Sequence, residues 1–144
     1  MTVISPDRGA ASRDPGGTRR LAKVSDGPGI AELGALWHTG AAPTRHFTGL
    51  MRTWLEVEGE PRVTLMASVG QQPVGMISML EYRGMPQPDG SQSRWGYLDH
   101  LFVRANKRGQ GVGTALIEET IKIADRRHYE RMLVSPTASA LSLF

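Results

Sequence analysis

The residues best suited to chemistry lie close together: Tyr97 and Asp99, then the run Lys107-Arg108-Gly109-Gln110-Gly111-Val112-Gly113-Thr114. Three glycines sit at alternate positions just before an apolar-periodic segment. The first N–H groups of a helix have no partner inside it, and the helix dipole is positive at that end. Glycine lets a ligand reach those amides without side-chain obstruction. The result is an anion site suited to phosphate groups, and Lys107 and Arg108 add formal charge at the same place. The plainer use of the same glycines is a tight strand–helix turn. Three phosphate-binding patterns compete. A P-loop needs Gly-x-x-x-x-Gly-Lys-Ser/Thr, but Thr114 follows Gly113 with no lysine between them. A dinucleotide fingerprint needs Gly-x-Gly-x-x-Gly, and the spacing of Gly109, Gly111 and Gly113 departs from it. The third pattern, Arg/Gln-x-x-Gly-x-Gly/Ala between a strand and a helix, is met by Arg108, Gly111 and Gly113.

Tyr97 and Asp99 are two residues apart on a predicted strand and so share a face. His100 is expected on the opposite face, as packing, unless a bulge intervenes. An exposed aspartate has a pKa of about 3.9, so burial must raise it substantially before Asp99 takes a proton efficiently. Otherwise Asp99 orients a cationic amine or bonds to nearby backbone.

The elements that must position these groups follow from periodicity. Residues 1–17 are rich in Ser, Pro, Gly, Ala, Asp and Arg and are expected to form a disordered leader. Thr18 to Val24 reads as a first strand. Asp26 is placed to cap a helix carrying Ile30, Leu33, Leu36 and Trp37. Phe47, Leu50, Met51, Trp54 and Leu55 recur at i, i+3, i+4, i+7, i+8, an amphipathic helix ending near Gly59. Strands are expected at Arg62 to Val69, Val74 to Tyr82 and Trp95 to Val103, with a turn at residues 70–73 and a long loop at 83–93. Thr114 to His128 reads as a helix with Leu116, Ile117, Ile121 and Ala124 on one face and a Glu118–Lys122 pair. Arg131 to Val134 is expected as a short buried strand and Thr137 to Phe144 as the opening of a further helix. Trp37, Trp54, Leu50 and Leu55 read as core. The order β-α-α-β-β-β-α-β-α indicates an α/β fold with a mixed, mostly antiparallel sheet flanked by helices. Residues 18–144 form one domain.

Composition narrows the function. The 144 residues contain no cysteine, which excludes disulfides, cysteine zinc sites and a thiol nucleophile. The histidines show no metal spacing, so no metal is expected. No apolar run approaches the ~20 residues that cross a bilayer, and no secretory signal is present; a cytoplasmic protein without a membrane partner is expected. The pI is 9.7, yet +2 of the net charge of +3 comes from residues 1–20. A nearly neutral body is a poor footprint for nucleic acid.

The strand at Tyr97 to Val103 followed by Arg108-Gly109-Gln110-Gly111-Val112-Gly113 resembles the GNAT superfamily of acetyl-CoA-dependent N-acetyltransferases, and the element order from Thr18 to Phe144 is similar to that family's. The resemblance implies acetyl-CoA as co-substrate. It places Arg108, Gly109, Gln110, Gly111, Val112, Gly113 and Thr114 at the pyrophosphate, and backbone at Leu101, Phe102 and Val103 along pantetheine. It implies direct attack by a primary amine of a small molecule or peptide, with Asp99 and Tyr97 facing that amine and an oxyanion donor near Leu101 or Phe102. Arg45 or His46 would flank the acceptor. Thr137 and Ala140 align with the family's Asn-x-x-Ala-x-x-Leu/Phe-Tyr run, and Phe144 falls at or next to the position of a tyrosine that often protonates the departing thiolate in the family. The family also continues for two more strands. A chain ending at Phe144 is therefore expected to be an incomplete domain that associates, as a homodimer, or is poorly soluble. A non-catalytic acyl-CoA binder is the second reading.

Overall fold

The computed structural model describes residues 18–134. The expected leader at 1–17 and the expected helix at 137–144 lie outside the described residues. Eight main elements follow one another: β1 (Thr18–Leu21), α1 (Gly27–Thr39), α2 (Arg45–Glu58), β2 (Arg62–Val69), β3 (Gln72–Arg83), β4 (Arg94–Val103), α3 (Val112–Arg126) and β5 (Arg131–Val134). They form one five-stranded sheet in the order β1-β2-β3-β4-β5. Neighbours from β1 to β4 are antiparallel, and β5 runs parallel to β4 after the α3 crossover.

The sheet is covered on both faces, which explains why β2 alternates only in part. Val63, Leu65 and Ala67 join Ile77, Met79, Leu98, Leu101 and Val103 under Val112, Leu116 and Ile123 of α3. Met66, Met76 and Phe102 point the other way, against Ile30 and Leu33 of α1. A strand buried on both sides is a nearly continuous apolar run rather than an alternating one. Gly70 and Gln71 connect β2 to β3, with Gly70 at φ 61°. Gly27 lets α2 lie close to the start of α1: a Cβ there would stand 2.2 Å from Arg52 Cγ.

Several local expectations are corrected. Asp26 occupies the position before α1 but does not cap it. Its carboxylate instead accepts from Arg20 Nη1 at 2.6 Å and Nη2 at 2.5 Å, and from the Lys23 amide at 2.8 Å. A bidentate guanidinium outcompetes a single amide. Lys122 reaches Glu119 at 3.5 Å rather than pairing with Glu118, because Glu119 also anchors Arg19 of β1 at 3.6 Å. Ile121 is 47% exposed, and the buried stripe of α3 runs through Leu116, Glu119, Thr120 and Ile123 instead. β5 is largely exposed rather than buried. Glu81 is buried on β3 and ties the sheet to the segment after α3, accepting from Arg83, from Arg127 Nη1 at 2.9 Å and from the Tyr129 hydroxyl at 2.6 Å.

Candidate active site

The site is organised by an irregularity in β4. The β3–β4 register pairs Met79 with Leu98 and Ser78 with His100, leaving Asp99 as an extra residue. Such a bulge re-aims the side chains around it. Leu98, Leu101 and Val103 face α3, whereas the His100 ring stands edge-on to Trp37 at 5.8 Å and to Trp54 at 6.5 Å. His100 therefore lies on the α1–α2 side, not on the opposite face from Asp99 as strict alternation predicts. Tyr97, opposite in sense to Leu98, turns the same way and is 39% exposed.

Asp99 is held from two directions. Arg62 Nη1 donates to its Oδ1 at 2.7 Å and Oδ2 at 2.9 Å, and His100 Nδ1 lies 2.9 Å from Oδ1. Arg62 is itself fixed: its Nε donates to Glu58 at 2.9 Å, its Nη1 to Ser78 Oγ at 3.2 Å, and its guanidinium stacks on Trp54 at 5.0 Å. Burial alone would push the Asp99 carboxyl up, but the hydrogen bonds from His100 and Arg62 and the positive charge of Arg62 outweigh it and hold the group below its ordinary value. The raised pKa that a carboxylate base needs is absent, because Arg62 supplies an opposite charge at contact distance.

Beyond the bulge, one edge of β4 is turned away from β3. The Arg104 amide donates to Val74 O at 2.8 Å. Alternation then points the backbone groups of Phe102 toward β3 and those of Leu101 and Val103 away from it. On that other side β5 pairs with β4 only from Trp95 to Leu98 among the described residues. Of the two positions proposed for an oxyanion donor, only Leu101 has its amide on this edge.

The strand runs through a short 3₁₀ turn, Ala105–Lys107, into the glycines. Gly109 and Gly111 adopt φ 78° and 91°, left-handed values at which a side chain is strained. Gly111 precedes α3 without any side-chain cap. The first helical bond runs from the Ala115 amide to Gly111 O at 2.9 Å. The amides of Gly111, Val112, Gly113 and Thr114 are thus the four without helical acceptors. Gly109, Gln110, Gly111 and Thr114 are exposed, while the Val112 side chain is buried beneath them. The Arg108 guanidinium folds back over Phe102 at 5.7 Å and donates through Nε to Val103 O at 2.9 Å. Gln110 Nε2 donates to Asn106 O at 3.1 Å. The open loop, the amides without helical acceptors, of which those of Val112 and Gly113 belong to buried residues, and the edge of β4 that β5 does not reach among the described residues fit a long ligand carrying a diphosphate.

Two cavities meet at Trp37. One of about 310 Å³ lies between α1, α2 and the sheet, walled by Trp37, Phe47, Leu50, Met51, Trp54 and Met76 and floored by Thr64, Ser78 and His100. The other, about 440 Å³, lies over the end of β4 beside Phe102, Arg104, Asn106 and Arg108. Trp54 and Leu50 therefore line a cavity rather than filling the core, and Leu50 is 53% exposed, whereas Trp37 does both, lining the cavity and packing against the core cluster of Ile30, Met66, Met76 and Phe102. Arg45 and His46 do not line either cavity. Sequence reasoning missed His100, because a bulge leaves no compositional mark. It also missed Arg62, whose only signal was a cation at the start of an apolar strand. Among the described residues no group of three or more His, Cys, Asp or Glu could hold a metal ion, and no helix is long and apolar enough to cross a membrane.

The strand order and the helices on both faces define the class: a mixed α/β domain of the N-acyltransferase type. The family model for the acetyltransferase (GNAT) family matches residues 31–144. Solved structures share the fold. A ribosomal-protein-alanine N-acetyltransferase from Brucella melitensis biovar Abortus 2308 is similar with a TM-score of 0.69 at 23% identity, over 88% of this chain and 87% of that one. An acetyltransferase from Trypanosoma brucei gives 0.69 at 17% identity, with the same coverage of both chains. An aminoglycoside acetyltransferase from an uncultured soil metagenomic sample gives 0.66 at 18%, over 88% and 82%. No curated protein matches the sequence. The chain belongs to the GNAT acetyltransferase family.

Proposed function

We propose that this chain transfers the acetyl group of acetyl-CoA to a primary amine by direct attack in a ternary complex. The observation that carries the reading is the pairing of two backbone arrays: the amides of Gly111 to Thr114, which lack helical acceptors at the start of α3, and the outward edge of β4 at Leu101 and Val103, which β5 does not reach among the described residues and where Arg108 Nε takes the Val103 carbonyl. The first would receive the diphosphate, with Arg108, Gly109 and Gln110 around it, and the second would pair with the pantetheine arm beside Phe102.

Acetyl-CoA supplies an activated acyl group. The Leu101 amide would stabilise the charge that develops on the carbonyl oxygen. His100 would take the amine proton: Asp99 engages Nδ1, which leaves Nε2 for the acceptor, and imidazole is the side chain that exchanges a proton near neutral pH. Asp99, kept ionised by Arg62, would orient that ring rather than act as the base. Tyr97, exposed on the same side of β4, would form a wall of the acceptor approach. In balance, the neutral amine's nitrogen bonds to the carbonyl carbon, the carbon–sulfur bond breaks, the amine proton passes to His100, and the same proton is returned through water to the departing sulfur, which leaves as the free thiol and frees the imidazole for the next turnover.

The test is titration with acetyl-CoA, followed by an assay of thiol release across a panel of primary amines. Saturable 1:1 binding and amine-dependent release are expected. Binding with no turnover on any amine would leave only an acyl-CoA binder, and no binding by folded protein would end the reading.

A further inference from the structure

The cavity beside His100 carries chemistry of its own. α2 is strongly amphipathic, with Phe47, Leu50, Met51 and Trp54 on one side, yet none of its residues is buried. Its apolar face stands off the sheet and roofs an open space. The floor is a single row across three strands: Thr64 of β2 pairs with Ser78 of β3, which pairs with His100 of β4. The two hydroxyls lie 3.0 Å apart, and Ser78 also accepts from Arg62. The next row along, Met66, Met76 and Phe102, is apolar. The polar groups of the lining are therefore this strip beside the bulge and the His38 ring of α1, which stacks on Trp37 at 5.1 Å, and the other walls are hydrocarbon or aromatic.

No Asp, Glu, Lys or Arg is among the described residues that line this space. Asp99, the carboxylate that contacts His100, is already matched by Arg62 and His100. A ligand with several ammonium groups would bury charges that nothing here compensates. A single amine above the His100 row meets the opposite circumstance. The apolar walls disfavour its charged form and so assist proton loss to the imidazole. The volume of about 310 Å³ lies at the small end of ligand pockets, about 300–1,000 Å³, and suits one ring or a short branched chain.

We infer that the acceptor is a compact hydrophobic monoamine, of the arylalkylamine type, whose apolar body packs between Trp37, Phe47 and Trp54 with its nitrogen over His100. This rests on the acyl-transfer reading for its chemistry but not for its binding site. The direct test is tryptophan fluorescence of the whole chain with 2-phenylethylamine, spermidine and sisomicin as probes, since Trp37 and Trp54 line the cavity. Saturable quenching by 2-phenylethylamine alone is expected. In the thiol-release assay, kcat/KM for 2-phenylethylamine should exceed that for spermidine and sisomicin by at least tenfold. Leu50→Glu sets a carboxylate in the exposed roof without emptying the core. It should lower kcat/KM for 2-phenylethylamine at least tenfold and narrow the gap to spermidine, while acetyl-CoA affinity stays within twofold. Leu50→Ala should lose less than Leu50→Glu. Equal or better use of the polycations, or no quenching by 2-phenylethylamine, overturns the inference. Lack of acetyl-CoA binding overturns the transfer reading, and the quenching result still decides the pocket.

Discussion

Replacing Asp99 with Asn keeps the shape of the bulge and removes the charge that joins Arg62 to His100. The Arg62 and Asp99 side chains are 8% and 17% exposed. Breaking a fully buried pair costs about 3–5 kcal/mol. Here Glu58 keeps its hold on Arg62 at 2.9 Å and the Asn oxygen can still accept, so about 1–2 kcal/mol is expected. For a domain of this size that lowers Tm by roughly 3–10 °C. Catalysis should suffer far more. The Asn amide can donate to Nδ1 and so put the ring proton on Nε2, where a base needs a lone pair. A general base contributes about 10²–10⁴-fold, so kcat should fall at least about 100-fold while acetyl-CoA affinity changes less than about twofold. His100→Gln should lose a similar factor and erase the limb of the pH–rate profile that reports the base. The double variant should be little worse than either single one, because the two residues act as a unit. Stopped assays on folded protein, with Tm recorded in parallel, decide the matter. If either variant keeps kcat within about threefold of the parent, or if the two losses multiply, the pair is structural and the reasoning fails.

Other outcomes follow from the same geometry. Gly111→Asp and Gly111→Asn share the strain of a side chain at φ 91°, but only Asp brings a like charge to the diphosphate. At about 4–5 Å and an effective dielectric near 20 this repulsion is worth about 3–4 kcal/mol, so Asp should bind CoA at least about 100-fold more weakly than Asn by titration calorimetry; equal affinities would contradict the placement. Burial raises the carboxyls of Asp26, Glu81 and Asp99, but Arg20, then Tyr129 with Arg83, and His100 with Arg62 respectively pull each below its ordinary value. Folded values below unfolded ones mean stability present above pH of about 4 and lost as pH falls through the folded values; thermal melts from pH 7 to 2.5 should show Tm dropping only below that point, and an unchanged Tm at pH 2.5 would refute it. Burial and the bond to Glu81 push Tyr129 up to about 12. Its protonated phenol therefore supports the fold below pH of about 10, and that support fades as pH rises toward 12. Absorbance titration should show one phenol ionising about two units late, lost in Tyr129→Phe.

How far the fold could be read varied with the physics of each element. β2, β3, β4 and the body and C-terminal end of α2 were legible because apolar periodicity and Gly59 mark them, and the glycine run marked the start of α3. Asp26 was misread as a cap because the competing partner, Arg20, comes from a strand whose position depends on tertiary pairing. The side to which His100 turns was not legible either: one extra residue at Asp99 reverses a two-residue period, and nothing in the composition of Leu98 to Leu101 signals it. The same holds for Trp37 and Trp54. Helical spacing places them on an inward face but does not say whether that face closes on the sheet or stands off it; here α1 closes on the sheet, with Trp37 at the margin of the cavity, and α2 with Trp54 has no buried residue.

The account depends on backbone amides that await a ligand at two places, and amide chemical shifts of ¹⁵N-labelled protein report them one by one. On titration with acetyl-CoA the largest shifts are predicted at Gly111, Val112, Gly113 and Thr114 and at Leu101 and Val103, saturating together at one equivalent. Shifts confined to other elements, such as β1 and β2, or a spectrum that stays still in excess acetyl-CoA, would contradict it.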